Sequence, residues 1–361
     1  MATREQQLSG GFAPVARLAA AREFASRHAL ALIIALAALV RFATLGVPSY
    51  WLDEYLTVVR IRHGFVDMFK AAGEGVTPPL YLIMAWGWQK VFGTGEIALR
   101  SLSALLGTAT IPVVYAATRA LASRRAGLMA AALAATSPLL ILYSQEVRTY
   151  PLLVFLSALS FLFFVYALQR EEPRWLWAWA LASGLALATH YFALMLLVPE
   201  AIWLLLRARA TRVKALLACV GVGAVGLALL PLWLDQRDRP TWIGLLSAPD
   251  RLLAVPQHFV VGLSVPWRAL SVVVTCVLAA AVLFALRRAD QPVRRAFALA
   301  GGIGAAGMLF ATIPMLFGND YLITRNVIEL WLPFAVAVAV ALGARTVGRG
   351  GPAVVVALCV I

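Results

Sequence analysis

Charge is scarce in this chain: 13% of its 361 residues are Asp, Glu, Lys or Arg, against 62% that are hydrophobic. A water-soluble domain of this length has too little interior to hide so much apolar surface, so lipid must cover the remainder. Cysteine is rarer still. Cys219, Cys276 and Cys359 lie in apolar runs, with no disulfide or zinc spacing between them, and read as small hydrophobes. The four histidines, His28, His63, His190 and His258, are scattered and make no His-x-x-x-His pair. There is no glycine-rich phosphate loop, so nothing calls for a nucleotide. Acids are outnumbered 17 to 31 by Lys and Arg, giving a formal charge of +14. In a soluble protein that excess points to nucleic acid. Here the basic residues fall in short loops between apolar runs, where they set membrane orientation, and no nucleic-acid partner is expected.

What the chain does have is a series of apolar runs near the ~20 residues that a membrane helix needs. They are Ala29–Val47, Ile97–Thr118, Gly127–Leu142, Pro151–Leu168, Trp175–Thr189, Tyr191–Leu206, Ala215–Leu234, Ala269–Leu286, Ala296–Phe317 and Val327–Gly343. An eleventh begins near Pro352 and is cut off at Ile361, which reads as the truncation of a longer chain. The expected fold is therefore an all-α, polytopic transmembrane bundle of about eleven spans. Residues 1–28 are polar, carry Arg4, Arg17, Arg22 and Arg27, and are expected to be a disordered cytoplasmic arm. Residues 29–361 form one membrane domain with two long outer loops, 48–96 and 235–267. No soluble domain, repeat or low-complexity tract interrupts it.

One segment decides the topology. Pro78–Gly93 is apolar but short and rich in Trp and Tyr. Laid on the outer surface as an interfacial helix, it leaves 19 basic and five acidic residues on the inner side and balanced charge outside, so the whole +14 falls on one face. Letting it span would put most of that charge outside. With the interfacial arrangement the N-terminus is cytoplasmic, and a site with room for polar groups belongs at the outer face of a plasma membrane, expected to be bacterial.

Three outer motifs could carry chemistry. Asp53 and Glu54 follow the first span closely, within Tyr50-Trp51-Leu52-Asp53-Glu54-Tyr55. Such a pair can simply favour the start of a helix, but a carboxylate at the membrane surface can also act as general base toward a hydroxyl. The second motif, Tyr143-Ser144-Gln145-Glu146-Val147-Arg148-Thr149-Tyr150, has Arg148 as its one cation, and Arg suits bidentate phosphate contact. In the third, Asp320-Tyr321-Leu322-Ile323-Thr324-Arg325-Asn326, Arg325 stands at a helix start, where backbone N–H groups would add to a phosphate site. His190-Tyr191 sits at a tight outer turn and either contacts a sugar or a metal, or has the commoner role of bonding a backbone carbonyl. Arg41 is expected to snorkel or to pair with an outer carboxylate. Glu200, within a span, reads as neutral, paired with a neighbouring helix, or functional.

The order of motifs is recognisable. Trp51-Leu52-Asp53-Glu54, then Thr77-Pro78-Pro79-Leu80-Tyr81, then Phe92-Gly93-Thr94-Gly95-Glu96-Ile97-Ala98-Leu99-Arg100, then the Tyr143–Tyr150 motif resembles the protein O-mannosyltransferase and aminoarabinose-transferase-like group of GT-C membrane glycosyltransferases. The first half of the chain carries the resemblance; the second half shares the span pattern and the arginine near the last outer turn. Two positions depart from the group's pattern. Thr77 stands where a His or Lys precedes the Pro-Pro, and Arg325-Asn326 stands for Arg-Tyr.

The resemblance implies inverting sugar transfer from a polyprenyl-phosphate donor to a lipid, glycan or protein acceptor at the outer surface. It maps the catalytic aspartate onto Asp53, with Glu54 beside it. Arg148 and Arg325 are then the donor-phosphate contacts, and Glu146, Tyr81, His190 and Tyr191 the candidate substrate contacts. No cofactor is expected, and a divalent metal is the less favoured alternative. A lipid flippase or transporter could share the topology, but it should show an internal repeat and several span charges. There is no repeat, and Arg41 and Glu200 are the charges more than one turn inside a span.

Overall fold

The computed structural model describes residues 28–360 apart from 74, 171, 208–210, 238–242, 265–266 and 318–319. The N-terminal arm expected to be disordered therefore lies outside the described residues, except for His28. The first helix, α1 (His28–Phe42), is followed by three short helices, α2 (Leu52–Arg62), α3 (Phe65–Gly73) and α4 (Leu80–Phe92). Next come α5 (Glu96–Leu121), α6 (Arg124–Thr136), α7 (Pro138–Ser144), α8 (Tyr150–Arg170), α9 (Pro173–Thr189) and α10 (Leu194–Arg207). The remainder is α11 (Arg212–Gln236), α12 (Ala248–Val261), α13 (Arg268–Arg288), α14 (Gln291–Thr312), α15 (Trp331–Leu342) and α16 (Gly350–Val360). The chain is thus all-α over the described residues. At 13 residues, α4 reaches only ~20 Å, less than the ~30 Å of a bilayer core.

Six helical segments among the described residues are long and apolar enough to cross a membrane: α5, α8, α11, α13, α14 with its extension to Met315, and Thr324–Leu342. The pair α6 and α7, bent by 56°, makes a seventh if it counts as one span. That is fewer than the eleven expected. Helices α9, α10 and α16 have 17, 14 and 11 residues, and α1 is likewise under 18. Counting apolar residues alone had included non-helical stretches such as 43–47 and the short 3-10 turn Tyr191–Ala193.

Burial separates the inner helices from the outer ones. In its most apolar stretch α8 is 72% buried, and the Thr324–Leu342 segment 83%, whereas α11 and α13 are each 17% buried. Helix α8 packs against α5 and α9, and the Thr324–Leu342 segment against α6 and α14. The exposed apolar faces of α11 (Leu216, Leu217, Val220) and α13 (Val272, Val273, Val277) are what a lipid-facing helix requires.

The bend between α6 and α7 explains Arg41. Pro138 has no N–H, so it cannot satisfy the carbonyl of Ala134 one turn earlier. Arg41, 0% exposed, supplies the missing donors: its Nη2 gives a hydrogen bond to Ala134 O at 2.8 Å and its Nη1 to Ala135 O at 2.8 Å. It neither snorkels nor pairs with an outer carboxylate. Gly107 lets α5 approach this junction, since a Cβ there would lie 2.5 Å from Ser144 Cβ and 3.2 Å from Arg41 Nε. Glu200 is paired with neighbouring helices: its Oε2 accepts from Ser160 Oγ (2.6 Å, α8) and Trp179 Nε1 (2.8 Å, α9).

Candidate active site

Helix α2 begins with two carboxylates, which favour the positive end of the helix dipole. Adjacent residues on a helix point about 100° apart, and here they diverge completely. Glu54 turns inward and is 0% exposed. Its Oε1 and Oε2 accept from Arg100 Nε and Nη2 at 2.8 and 2.6 Å, a fork-to-fork pair. Arg100, 2% exposed in the first turns of α5, also donates to the carbonyls of Leu45, Pro48 and Ser49. The remaining lone pairs of Glu54 take the N–H of Trp51 at 3.3 Å and of Val147 at 2.9 Å. One carboxylate therefore ties α2, α5 and the 145–149 turn together, with its oxygens already occupied.

Asp53 turns the other way, with 26% of its side chain exposed. Its Oδ2 lies 3.5 Å from Arg148 Nη2 and 3.5 Å from Arg325 Nη1. These contacts are longer than the ~2.8 Å of a tight charge-assisted hydrogen bond, so both guanidiniums stand beside the carboxylate without being locked to it. Arg148 also donates to Asp53 O at 3.3 Å. By holding the N–H of Val147, Glu54 fixes the turn from which Arg148 extends. Arg325 is delivered by the 3-10 stretch Thr324–Leu330. Three motifs distant in sequence thus meet at one oxygen atom.

Two cavities flank this junction and share Arg325. One, of about 260 Å³, is lined by Thr77, Arg148, Tyr150, His190, Tyr191 and Tyr321 among others. The other, of about 590 Å³, is lined by Tyr143, Arg251, Gln257, His258, Thr324 and further residues of α12. Of the remaining expected site residues, Glu146 lies beside the charges: burial, and then the nearby Glu54 carboxylate, push its carboxyl up to about 7. Its Oε2 is buried with no hydrogen-bond partner among the described residues. Among the described residues His190 does not bond a carbonyl; its Nδ1 accepts the N–H of Phe192 at 3.2 Å. Burial, then Arg148 and Arg325, push the imidazole down to about 3, so it is neutral. The Tyr191 hydroxyl donates to Gln236 Oε1 at 2.9 Å. Tyr81 is 1% exposed, its hydroxyl 3.2 Å from Ser103 Oγ between α4 and α5, and burial raises its pKa.

The structure adds residues that sequence reading had not singled out. Arg251 forks onto both oxygens of Asp320 and donates to Leu322 O at 2.7 Å, which pins the loop leading to Arg325. The hydrogen bond from Arg251 holds the Asp320 carboxyl below its usual range. His258 Nδ1 lies 2.7 Å from Thr324 Oγ1, next to Arg325 in sequence. The available signal was a charged residue within or next to an apolar run, which demands a partner. Arg100 met that criterion, while Arg251 and His258 sat in a loop where any polar residue is unremarkable. Among the described residues no group of three or more His, Cys, Asp or Glu side chains could hold a metal ion.

The chain resembles known proteins in sequence and in fold. A family model described as dolichyl-phosphate-mannose-protein mannosyltransferase matches residues 76–234. No curated protein matches the chain. Among solved structures, ArnT from Cupriavidus metallidurans in the apo state superposes with a TM-score of 0.63 at 17% identity, covering 88% of this chain and 60% of that one. ArnT bound to undecaprenyl phosphate gives 0.62 at 17% identity, covering 88% and 61%. The oligosaccharyltransferase AglB from Archaeoglobus fulgidus gives 0.52 at 14% identity, covering 88% and 50%. The chain spans about three fifths of the length of the ArnT structures it matches. The resemblance to the protein O-mannosyltransferase and aminoarabinose-transferase-like group of GT-C glycosyltransferases therefore holds, in sequence across residues 76–234 and in fold across 88% of the chain.

Proposed function

We propose that the chain is the membrane domain of a glycosyltransferase that moves a sugar from a polyprenyl-phosphate donor to an acceptor at the outer face, by one inverting displacement. The observation that carries this reading is the Asp53 carboxylate, 3.5 Å from both Arg148 and Arg325, at the junction of two cavities. Two guanidiniums in one cleft suit a phosphate, and ArnT, whose fold this is, binds undecaprenyl phosphate.

The acceptor hydroxyl attacks the anomeric carbon while Asp53 takes its proton. The bond from that carbon to the phosphate oxygen breaks, and the electron pair leaves on polyprenyl phosphate, whose charge Arg148 and Arg325 stabilise. Donor phosphate takes over the arginines that now stand beside Asp53, which frees the carboxylate to act as base. Glu54 is a positioning residue. His190 and Tyr191 line the sugar's side, where neutral His190 adds no charge, and Glu146 reaches the sugar from the turn that carries Arg148. Tyr81 holds α4 against α5 behind them. The sugar is a hexose or pentose, mannose among them.

In the accompanying topology the short apolar helices α1, α9, α10 and α16 also cross, for eleven crossings, with α2 to α4 on the outer surface. Purified protein incubated with a panel of polyprenyl-phosphate sugars and membrane acceptors should convert at least one donor to polyprenyl phosphate plus glycosylated acceptor. Release of no polyprenyl phosphate from any donor, by protein that still binds them, would overturn the reading.

A further inference from the structure

Helix α6 opens against the rules of helix electrostatics. The N-terminal end of a helix carries partial positive charge, and acidic side chains are favoured there. Helix α6 has no acid in its first turn and begins with Arg124-Arg125. Ser123 Oγ caps it by accepting the N–H of Ala126 at 3.1 Å, which adds no negative charge. A groove of about 560 Å³ lies beside this end, and Arg345 joins Arg124 and Arg125 on its wall. The rest of the lining is mainly apolar, including Leu128, Met129 and Val356, and contains no carboxylate.

The groove is far from Asp53. Arg100, which grips the Glu54 carboxylate of α2, is at the start of α5, and the groove begins just after its end. Helix α5 has 26 residues, so about 39 Å separates its ends, more than the ~30 Å hydrocarbon core. The groove therefore lies at the opposite membrane surface, where the loops 119–125 and 345–349 contain arginines and no acids.

We infer that this groove binds an anionic phospholipid of the inner leaflet, with its phosphate among Arg124, Arg125 and Arg345 and its acyl chains along Leu128, Met129 and Val356. The charge complementarity is twofold. A phosphate would sit against three guanidiniums and would also bring negative charge to an α6 terminus whose first turn carries no acid. A zwitterionic lipid would supply no net charge, and a soluble anion would leave the apolar wall uncovered.

The test uses the purified full chain in phosphatidylcholine nanodiscs with increasing phosphatidylglycerol, and reads lipid retained after gentle release by native mass spectrometry. One phosphatidylglycerol should be retained in preference to phosphatidylcholine, and excess glycerol phosphate should not displace it. R124Q/R125Q/R345Q should lower retention by at least about tenfold. R287Q/R288Q/R295Q, which removes equal charge from another inner loop, should retain it as the unmodified protein does. Val356→Trp fills the groove and keeps every arginine, so its retention should also fall. Equal loss in both triple variants would show diffuse surface attraction, and displacement by glycerol phosphate would show a free-anion site. Either result, or undiminished retention in R124Q/R125Q/R345Q and in Val356→Trp, overturns the inference.

Discussion

Asp53 and Arg325 are 272 residues apart in sequence and 3.5 Å apart in space. Closing so long a loop has an entropic cost that the contact itself, at that distance, does not offset. Packing closes it instead: the Thr324–Leu342 segment is 83% buried in its apolar stretch, and Arg251 anchors the preceding loop through Asp320. The junction is therefore set by the bundle.

The first prediction concerns Asp53. Asp53→Asn keeps the size and some hydrogen bonding but cannot accept a proton from the acceptor hydroxyl. General-base catalysis is typically worth ~10²–10⁴-fold, so turnover should drop by about that factor while protein yield and donor binding stay near normal. Unchanged turnover in a folded, donor-binding variant would remove Asp53 from the chemistry.

The two arginines should behave alike. Each offers a guanidinium to the departing phosphate, so Arg148→Ala and Arg325→Ala should each lose about 2–4 kcal/mol of transition-state stabilisation. Donor use should suffer more than acceptor use. Because both act on one group, the double variant should fall short of the sum. Strict additivity in steady-state donor kinetics would argue for two separate sites.

How much of this was legible in the sequence depends on the kind of contact. Asp53, Arg148 and Arg325 could be chosen because outer charges are few, and a charge near an apolar run stands out. The divergence of Asp53 and Glu54 was not legible, since it depends on which way α2 faces, and that is set by Arg100 in the next long helix. Arg41 was misread for a related reason. Its partners are the Ala134 and Ala135 carbonyls exposed at a proline bend, and a backbone carbonyl leaves no trace in residue type. The α4 segment could be set apart from the longer runs, because it is short and the charge distribution favours leaving it on one surface. Six or seven segments pass on helix length where eleven apolar runs were counted, since apolar turns adjoin short helices and hydropathy does not register a turn.

Glu54 and Arg100 yield the third prediction. Removing one member of a buried ion pair strands the other, typically costing ~3–5 kcal/mol. Glu54→Gln should therefore lower thermal stability and expression, and free the 145–149 turn by weakening the hold on Val147. Glu54→Leu combined with Arg100→Met removes both charges and should recover part of the lost stability, though not the position of Arg148. Donor kinetics should stay impaired in the recovered double variant. Full stability in Glu54→Gln would show that the pair is dispensable for the fold.

The last prediction rests on Glu146, whose carboxyl burial pushes up to about 7. An unfolded glutamate titrates near 4.3, so between these values the folded protein holds a proton that the unfolded chain has lost. Stability then declines as pH rises across that window. The contribution is fully present below about pH 4 and is lost by about pH 8. Glu146→Gln keeps the shape and cannot ionise, so it should match the unmodified protein near pH 4 and be more stable near pH 8. The difference should be on the order of 2 kcal/mol, moderated by partial solvent contact. Thermal unfolding in detergent at both pH values measures it. Activity adds a second readout: if neutral Glu146 donates a hydrogen bond to the sugar, the alkaline fall in rate should move to higher pH in Glu146→Gln. A melting temperature of Glu146→Gln that tracks the unmodified protein from pH 4 to pH 8 would mean that Glu146 is ionised throughout, held charged by Arg148 and Arg325.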